Sequence, residues 1–269
     1  MFNIERIKKD NVVYYVPKGL LCKKDVLVVF TGRLGGVSEP PYEFLNLSPN
    51  VGDEIKNVIK NRETLCSELN LNLDRLTTCE QTHGDKVVIV DDDSSIGRGA
   101  FLHSGAIPKT DALITNIAEV PLTVFCADCV PIIIVDPVKR VVGVVHAGWR
   151  GTYAGIVVKT VQKFIYKFHS CPEELLFFIG PCIGSCCYEI DTSLARMFEE
   201  KFALQLDTRY GKSYLNLVEI NIKQLVENKV KLEKIYCANI CTSCNSDFFS
   251  YRKEKGLTGR QGALVAIIK

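Results

Sequence analysis

The sequence predicts an α+β fold, with layered mixed β-sheets flanked by helices. Two observations carry this prediction. Short β-branched runs outnumber the segments with helical spacing, and several of these runs are apolar on both faces, which is typical of strands covered on both sides. In the middle of the chain the runs follow one another through tight turns. A regular alternation of strand and helix is therefore not expected.

Eight short runs, rich in β-branched residues and bounded by turn residues, are predicted strands. They cover residues 26–30, 86–90, 112–115, 122–125, 131–135, 141–145, 175–179 and 263–268.

Apolar residues recur at helical spacing in three segments. The first carries Ile55, Val58, Ile59, Leu65, Cys66 and Leu69; the second carries Val157, Val161, Phe164 and Phe168; the third carries Ile222, Leu225, Val226 and Val230. We expect the second helix to follow Gly151, with Thr152 as its N-cap. The irregular stretches 32–50 and 91–109 are long enough to be functional loops rather than plain connections.

No repeat, low-complexity tract or long linker marks a domain boundary. We therefore expect residues 1–269 to form a single catalytic domain, with roughly the first 25 residues as a candidate peripheral segment. The 47% hydrophobic and 24% charged composition is that of a globular chain with an ample core.

Net charge and hydropathy limit the kinds of binding partner and the location that we expect for the protein. A net charge of +2 gives no electrostatic bias toward nucleic acid or anionic membranes. Asp128 and Pro131 interrupt the longest apolar stretch, so no membrane-spanning helix is expected. The N-terminus has charges where an export signal has its apolar core, so we expect a cytoplasmic protein. Its twelve cysteines are accordingly expected to be reduced thiols. No feature predicts an oligomeric state.

Two of the four histidines lie where a predicted strand meets a glycine turn. His83 precedes Gly84, and His146 ends a strand just before Gly148. Cys129 lies between two predicted strands in a similar position. Two imidazoles and a thiolate form a three-ligand zinc set with a fourth position open to water or substrate. His103 and His169 are expected to be structural.

Three carboxylates lie close to these residues in the sequence. Glu80, Asp111 and Asp128 are candidates to orient a ligand imidazole or to act as a general base. As acidic residues at strand ends, they are equally consistent with solvated turn positions.

Residues 148–152 lead a predicted strand into a predicted helix. Backbone N–H groups there, together with Arg150, could hold an anion such as phosphate. The sequence has neither a P-loop nor a dinucleotide-binding glycine pattern, so a nucleotide cofactor is not expected.

Six further cysteines fall in two groups: Cys182, Cys186 and Cys187, then Cys237, Cys241 and Cys244. Cys241 and Cys244 have metal-ligand spacing. The adjacent pair Cys186-Cys187 is not expected to bind one ion comfortably, so small buried thiols are favoured over a structural zinc site.

The strings EQTHG (80–84), ADC (127–129) and HAGWRGT (146–152), read together with the segments around residues 180–189 and 249–261, resemble the YfiH/YlmD family of laccase-domain proteins. The resemblance runs from about residue 38 to the C-terminus. It implies an α+β fold with two layered sheets. It also implies a purine nucleoside phosphorylase that acts on adenosine, inosine and methylthioadenosine and deaminates adenosine.

The resemblance also implies roles for particular residues. His83, Cys129 and His146 would be the catalytic zinc ligands, with copper as the alternative metal. Asn46 and Arg62 would contact the substrate, and we add Arg150 as a candidate for the phosphate. Purine nucleosides and phosphate are then the expected partners. One position departs from the family pattern: Cys126 stands where a threonine is usual.

Two other functions stay open from the sequence. A copper polyphenol oxidase would need a nearby methionine or many more histidines, and the chain has two Met and four His. A cysteine hydrolase would use Cys129 as nucleophile with His83 or His146 as base. Chelation would inhibit the metalloenzyme and spare the hydrolase.

Overall fold

The computed structural model describes residues 4–9, 11–18 and 25–268. Its strands are β1 (Ile4–Lys9), β2 (Val12–Pro17), β3 (Val26–Thr31), β4 (Thr77–Thr78), β5 (Val87–Ile89), β6 (Ala112–Thr115), β7 (Leu122–Cys126), β8 (Val130–Asp136), β9 (Val141–Ala147), β10 (Leu176–Ile179), β11 (Glu189–Ile190), β12 (Asp207–Arg209), β13 (Lys212–Tyr214), β14 (Ile235–Cys237) and β15 (Gln261–Ile267). Its α-helices are α1 (Ile55–Glu68), α2 (Trp149–Ala154), α3 (Ile156–Phe168), α4 (Thr192–Phe202) and α5 (Leu217–Glu227).

Two six-stranded sheets form the centre of the molecule. The first has the order β1-β2-β3-β15-β7-β4 and the second has the order β14-β10-β8-β9-β6-β5. Both sheets are mixed, since β4 pairs with β7 and β10 with β14 in parallel while most other neighbours are antiparallel. A small sheet, β11-β13-β12, lies apart from them. The α+β class with layered mixed sheets is thus confirmed.

Side-chain alternation along β8 shows how the layers pack. Ile133 and Val135 pack into the core between the two sheets, where Val265 of β15 also lies. Ile132 and Ile134 pack on the opposite face, against the core that contains Phe164 of α3. Because successive strand residues point to opposite faces, an apolar residue at every position requires cover on both sides. The continuous apolar run predicted this arrangement.

Helices cover the outer faces. On the second sheet, α3 contributes Val161 and Phe164, α4 contributes Phe198, and α5 contributes Leu225. On the first sheet, Leu65 of α1 packs with the buried Leu45 and Leu47 of the preceding loop. No helix in the described part of the chain is long and apolar enough to cross a membrane.

The eight predicted strands are all present, with ends that differ by at most two residues. The Thr152 N-cap prediction is wrong. The chain becomes helical at Trp149, Thr152 lies inside α2, and the break before α3 comes at Gly155, whose φ of 78° is left-handed. Glycine adopts that conformation without the steric cost that a Cβ imposes.

Helix α4 was not predicted, and neither were β1 and β2. In β2, Val12 and Val13 are fully buried, whereas β1 is largely exposed at the edge of the first sheet. The extent of the catalytic domain stays a prediction.

Candidate functional site

The three predicted ligand residues meet at one end of the two-sheet core. Cys129 directly precedes β8, and His146 is the penultimate residue of β9. Because Pro131 pairs with His146 across these antiparallel strands, Cys129 lies beside the histidine. His83, in the turn before β5, completes the group. One Cys sulfur and one nitrogen from each His lie within 4.8 Å of one another.

One buried carboxylate organises this group. Asp111 accepts hydrogen bonds from the backbone N–H groups of Thr82, His83 and Gly84 at 2.9–3.1 Å, and it contacts Nδ1 of His146 at 2.8 Å. The turn needs this support, because His83 has a left-handed φ of 60°, an uncommon conformation for a residue with a side chain. Asp111 thus fixes both histidines, and Nε2 of His146 is left to face Cys129.

Asp128 fixes the backbone turn that presents the next residue, Cys129. Its own φ of 86° is left-handed. Its carboxylate accepts hydrogen bonds from the Thr242 hydroxyl and the backbone N–H of Arg252, both at 2.6 Å. Its carbonyl accepts from the N–H of Ile183 at 2.9 Å. A strained residue held by several partners is common at functional sites.

The charges of Cys129 and His146 are strongly coupled. Burial by itself would raise the pKa of Cys129, but the neighbouring His146 and His83 bring it down to about 6. Burial would likewise lower the pKa of His146, but Cys129 and Asp111 raise it to about 9. The pKa of Asp111 is lowered: burial opposes this, and His146 and the backbone N–H groups outweigh it. Cys129 is therefore a thiolate at neutral pH.

Gly148 leaves the space that these side chains occupy. A Cβ at this position would lie 3.0 Å from the sulfur of Cys129 and 3.0 Å from Cδ2 of His83. That separation is shorter than ordinary van der Waals contact, so a side chain here would push on both ligands, and glycine avoids this.

The donor set fits a metal ion of intermediate softness. It supplies a thiolate and two imidazoles, and one imidazole is oriented by a carboxylate on its other nitrogen, the usual support of a metal-bound histidine. Three protein ligands leave a coordination position open.

A cavity of about 490 Å³ opens onto these ligands. This volume is within the range of small-molecule sites. Its wall is part aromatic and part polar, and it comprises Ser48, Asn50, Val51, Cys79, Gln81, His83, His103, Phe125, Ala127, Asp128, Cys129, His146, Trp149, Arg150, Ile183, Tyr188, Leu217, Tyr251, Arg252 and Arg260. Ser48, Asn50 and His103 come from the two irregular stretches expected to be functional loops.

Three arginines line this cavity, and each lies over an aromatic ring of the same wall. Arg150 lies 4.3 Å from the ring centre of Trp149, Arg252 lies 5.2 Å from that of Tyr188, and Arg260 lies 5.7 Å from that of Tyr251. A ring below a guanidinium helps to hold it in place. Arg252 also donates to the carbonyl of Glu189, and Arg260 donates to those of Thr258 and Gly259, so part of each of these two guanidinium groups is left for an anion.

The other two predicted substrate contacts lie behind the wall. Asn46 is fully buried; its amide donates to the Ser48 carbonyl and to Asp53, and its Oδ1 accepts from the N–H groups of Ser48 and Arg260. Arg62 is 1% exposed and donates to the carbonyls of Leu47, Gly99 and Ala100. These contacts hold two loops together, and direct substrate contact by Asn46 and Arg62 stays a prediction.

Arg252 and Arg260 line the cavity; they lie in the C-terminal segment that carries the family resemblance, but no role was assigned to them from the sequence. Arg260 directly precedes β15, and Gln261 pairs with Cys126 at the end of β7, which carries the arginine to the same end of the core. That neighbourhood depends on strand order, so nothing in the local sequence around Arg260 predicted it. His103 was expected to be structural, and the structure brings it to the cavity wall.

A second group of potential ligands lies outside the cavity. The sulfurs of Cys186, Cys187, Cys241 and Cys244 all lie within 4.8 Å of one another. The expectation of small buried thiols is wrong for these four, because Cys186 and Cys244 are exposed and Cys187 and Cys241 are half-buried. The loop turns the sulfurs of both Cys186 and Cys187 toward Cys244, at 3.7 and 3.3 Å.

Comparison with known proteins agrees with this architecture. The family model described as "Multi-copper polyphenol oxidoreductase laccase" matches residues 27–268. A protein of Geobacillus stearothermophilus named purine nucleoside phosphorylase YlmD is 37% identical over 241 residues, which is 87% of this chain and 88% of the relative. The protein of the same name from Bacillus subtilis is 34% identical over 252 residues, covering 91% of this chain and 89% of that protein.

Solved structures are similar in fold over nearly the whole chain. The crystal structure of Bacillus licheniformis hypothetical protein YfiH has a TM-score of 0.90 and 33% identity, with 99% of this chain and 98% of that chain covered. The crystal structure of YlmD from Geobacillus stearothermophilus has a TM-score of 0.87 and 36% identity, with 91% and 92% covered. The chain described here therefore belongs to the YfiH/YlmD family of laccase-domain proteins.

Proposed function

We propose that this protein is a zinc-dependent purine nucleoside phosphorylase that acts on adenosine, inosine and methylthioadenosine and also deaminates adenosine. One observation carries the proposal: the ligand set of His83, Cys129 and His146 opens onto the same cavity as three arginines stacked on aromatic rings. The names of the relatives support a nucleoside phosphorylase.

Phosphorolysis needs an anion beside a sugar. Hydrogen phosphate attacks C1′ of the nucleoside, the bond from C1′ to the purine nitrogen breaks, and the base takes up the proton that the phosphate gives up as ribose 1-phosphate forms. In this proposal Arg150, Arg252 and Arg260 bind the phosphate dianion, because a guanidinium donates two parallel hydrogen bonds to phosphate oxygens. Their charge also stabilises the transition state, in which the sugar carries positive charge and the phosphate oxygens approach it.

The purine has a matching surface. Phe125, Trp149, Tyr188 and Tyr251 line the cavity, and a purine ring can stack on any of them. Asn46 takes the role of a positioning residue, since its Oδ1 accepts from the backbone of both Ser48 and Arg260. Arg62 holds the carbonyls of Leu47 and of residues 99–100, and so supports the loops that carry Ser48 and His103.

Zinc is the metal we propose, with copper as the alternative, because a thiolate and two imidazoles match its preferred ligands. A zinc ion bound there would supply a Lewis acid with one open coordination position next to the substrate. The protein's own part is to deliver Cys129 as a thiolate and to hold His146 with Nδ1 on Asp111, so that Nε2 is unprotonated when it binds the metal.

Deamination of adenosine uses the same cavity in this proposal. Water adds at C6, the C6–amino bond breaks, and the products are inosine and ammonia. The water must lose a proton and the amino group must gain one. His103 lines the cavity and is not part of the ligand set, so we assign it to this proton transfer.

The test is product analysis with purified protein. Adenosine or inosine is incubated with and without phosphate, and bases, ribose 1-phosphate and deaminated nucleoside are separated. We expect free base and ribose 1-phosphate only when phosphate is present, and inosine from adenosine in either case. His83→Ala, Cys129→Ser and His146→Ala should lose the metal ion held by this three-residue ligand set, and both reactions with it. A metal-free variant with full activity would refute the metal assignment.

A matched control is His169→Asn. His169 is an exposed histidine at the end of α3 with a left-handed φ of 55°, a conformation that asparagine tolerates well. This variant should keep metal and activity. Chelation and thiol alkylation should both inhibit the wild-type protein, whereas a Cys129 hydrolase would survive the chelator. Oxidation of phenols by the copper-loaded protein, without phosphorolysis, would instead favour the polyphenol oxidase.

A further inference from the structure

We infer that Cys186, Cys187, Cys241 and Cys244 form a second metal site, a closed tetrathiolate zinc site that is structural and distinct from the three-ligand set. All four sulfurs lie within 4.8 Å of one another, and Cys244 lies 3.3 Å from Cys187 and 3.7 Å from Cys186. A tetrahedral zinc site with Zn–S bonds of about 2.3 Å has its sulfurs about 3.8 Å apart. The sulfurs are thus already near the separation that an ion between them requires.

The fold brings the two pairs together through parallel strands. β10 and β14 are parallel, with Ile179 beside Cys237, so the loops that follow them leave the sheet at the same end. They continue side by side: the N–H of Cys182 donates to the carbonyl of Ile240, and the N–H of Thr242 donates to the carbonyl of Cys182. Each loop then turns and presents two cysteines to the other.

Both turns have features of metal-binding loops. In one, the N–H of Cys187 donates to the carbonyl of Gly184, and in the other the N–H of Cys244 donates to that of Cys241. The N–H of Gly184 also donates to the sulfur of Cys241 at 3.3 Å, which is the kind of contact that stabilises a thiolate ligand. A Cβ at Gly184 would lie 3.2 Å from the sulfur of Cys186, so glycine keeps the close approach open.

The chemistry of the donors selects the ion. Four soft thiolates without a carboxylate or imidazole in the set favour zinc over magnesium or calcium. Four thiolates around a divalent zinc ion leave a net negative charge. Arg209, which pairs with Asp207, donates to the carbonyl of Ser185 and so brings a cation to the loop that carries two of the cysteines. Four protein ligands leave no open position, so this site performs no catalysis.

The position of the cluster gives the ion a structural role. The same two loops hold Asp128, the residue before Cys129: Ile183 donates to its carbonyl and Thr242 to its carboxylate. Ile183 and Tyr188 also line the cavity. An ion that clips residues 184–187 to residues 241–244 therefore braces one wall of the cavity and the strained turn that presents Cys129.

The experiment is metal counting on the full-length protein. Zinc per chain is measured by elemental analysis in the wild type, in His146→Ala, in Cys187→Ser/Cys244→Ser, and in Cys171→Ser as a control that removes an exposed cysteine outside the cluster. We expect two zinc ions per chain in the wild type and the control, and one in each of the other variants. Retention of all zinc in the double cysteine variant would overturn the inference.

Two further measurements identify the ligands without depending on that variant folding. Cobalt-loaded His146→Ala should show the intense near-ultraviolet thiolate-to-cobalt band of a tetrathiolate site. Titration of His146→Ala with a mercurial reagent should release its one zinc ion as the cluster thiols react. A His146→Ala protein that carries no zinc and shows no such band would overturn the inference, and so would a disulfide between Cys187 and Cys244 in freshly isolated protein mapped by mass spectrometry.

Discussion

Asp111 shows how much of the site depends on one side chain. Both of its oxygens are committed: Oδ1 accepts from the N–H of His83 and contacts His146, and Oδ2 accepts from Thr82 and Gly84. An ionised carboxylate can accept all of these because its two oxygens together offer about four lone-pair sites. The residue is fully buried, so no water can replace a lost acceptor.

Replacing Asp111 with Asn should therefore weaken metal binding by about 10- to 100-fold, the usual effect of losing a carboxylate that supports a metal-bound histidine. The amide NH₂ would face N–H donors on one side, and the negative charge opposite His146 would be gone. Metal affinity is measured by competition with a chromophoric chelator. Asp93→Asn, at an exposed loop position, is the control and should bind as the wild type does. Equal metal affinities in the two variants would show that Asp111 does not support the metal ligands.

The lowered pKa of Cys129 predicts selective reactivity in the metal-free protein. A group whose pKa is about 6 is mostly deprotonated above that pH, and the thiolate is the reactive form. The rate of alkylation of Cys129 should rise with pH up to about 6 and then level off. Cys66, whose pKa burial raises to about 11, should stay unmodified at neutral pH.

Peptide mapping by mass spectrometry after brief iodoacetamide treatment measures this directly. Because His146 contributes to lowering the pKa of Cys129, His146→Ala should move the midpoint of the rate profile to higher pH. Adding zinc back to the wild type should protect the thiol. A midpoint near that of an ordinary thiol in the metal-free wild type would contradict the prediction.

At the scale of elements, the central strands were predictable, whereas the edge strands β1, β4 and β14 were not. The run Ile132-Ile133-Ile134-Val135 is apolar at every position, and only cover on both faces explains that. β1 carries the sequence IERIKK, whose charges match an exposed edge strand but give no strong strand signal. In α4, Ala195, Phe198 and Phe202 are buried, a sparse apolar face among charged residues, so the helix was missed.

The site divides in the same way. His83, Cys129 and His146 could be proposed from the sequence because each adjoins a strand end beside a turn. The resemblance covered the segment of Arg252 and Arg260 but gave neither a role. Arg260 reaches the cavity because β15 lies next to β7, a pairing between residues more than one hundred positions apart, and the Arg252 backbone is bound by Asp128, which is similarly distant along the chain. The four-cysteine cluster was not predicted for a related reason. Two loops that run side by side bring its sulfurs together, and the spacing of cysteines within one loop does not show this.

Helix α3 offers a test of the packing between layers. Phe164 is fully buried against the second sheet. Its ring lies 3.0 Å from the position that a Cβ on Gly143 of β9 would take. Phe164→Ala should lower the free energy of unfolding by about 3–5 kcal/mol, through lost burial and the cavity left behind. Urea denaturation measures the change. Tyr166→Ala, on the exposed face of the same helix at 78% exposure, should change it by less than about 0.5 kcal/mol. Similar losses in both variants would contradict this packing.

For the whole molecule, the two sheets explain why the functional residues converge. The ligands come from the second sheet and its turns, whereas Phe125 and Arg260 adjoin β7 and β15 of the first. The cavity therefore lies at the open end of the core between the sheets. Anything that loosens the first sheet should separate the two halves of the site, even when the altered residues are far from it.

The N-terminal strands make that expectation testable. Val12 and Val13 of β2 are fully buried, and Tyr15 packs on Phe248 with ring centres 4.9 Å apart. Each such side chain contributes about 1.5–3 kcal/mol by its burial, and together they approach the 5–15 kcal/mol that separates folded from unfolded protein. A chain lacking residues 1–18 should therefore be insoluble, or should have a melting temperature well below that of the wild type.

A chain lacking residues 1–9 is the matched control for that truncation. It loses β1, whose residues are exposed or half-buried, together with the ion pair between Arg6 and Asp247. An exposed pair of this kind contributes little to stability. The shorter truncation should thus fold and keep its metal, with a modestly lower melting temperature by circular dichroism. If the chain lacking residues 1–18 melted at the wild-type temperature, the N-terminal segment would be peripheral and the catalytic domain would begin at β3.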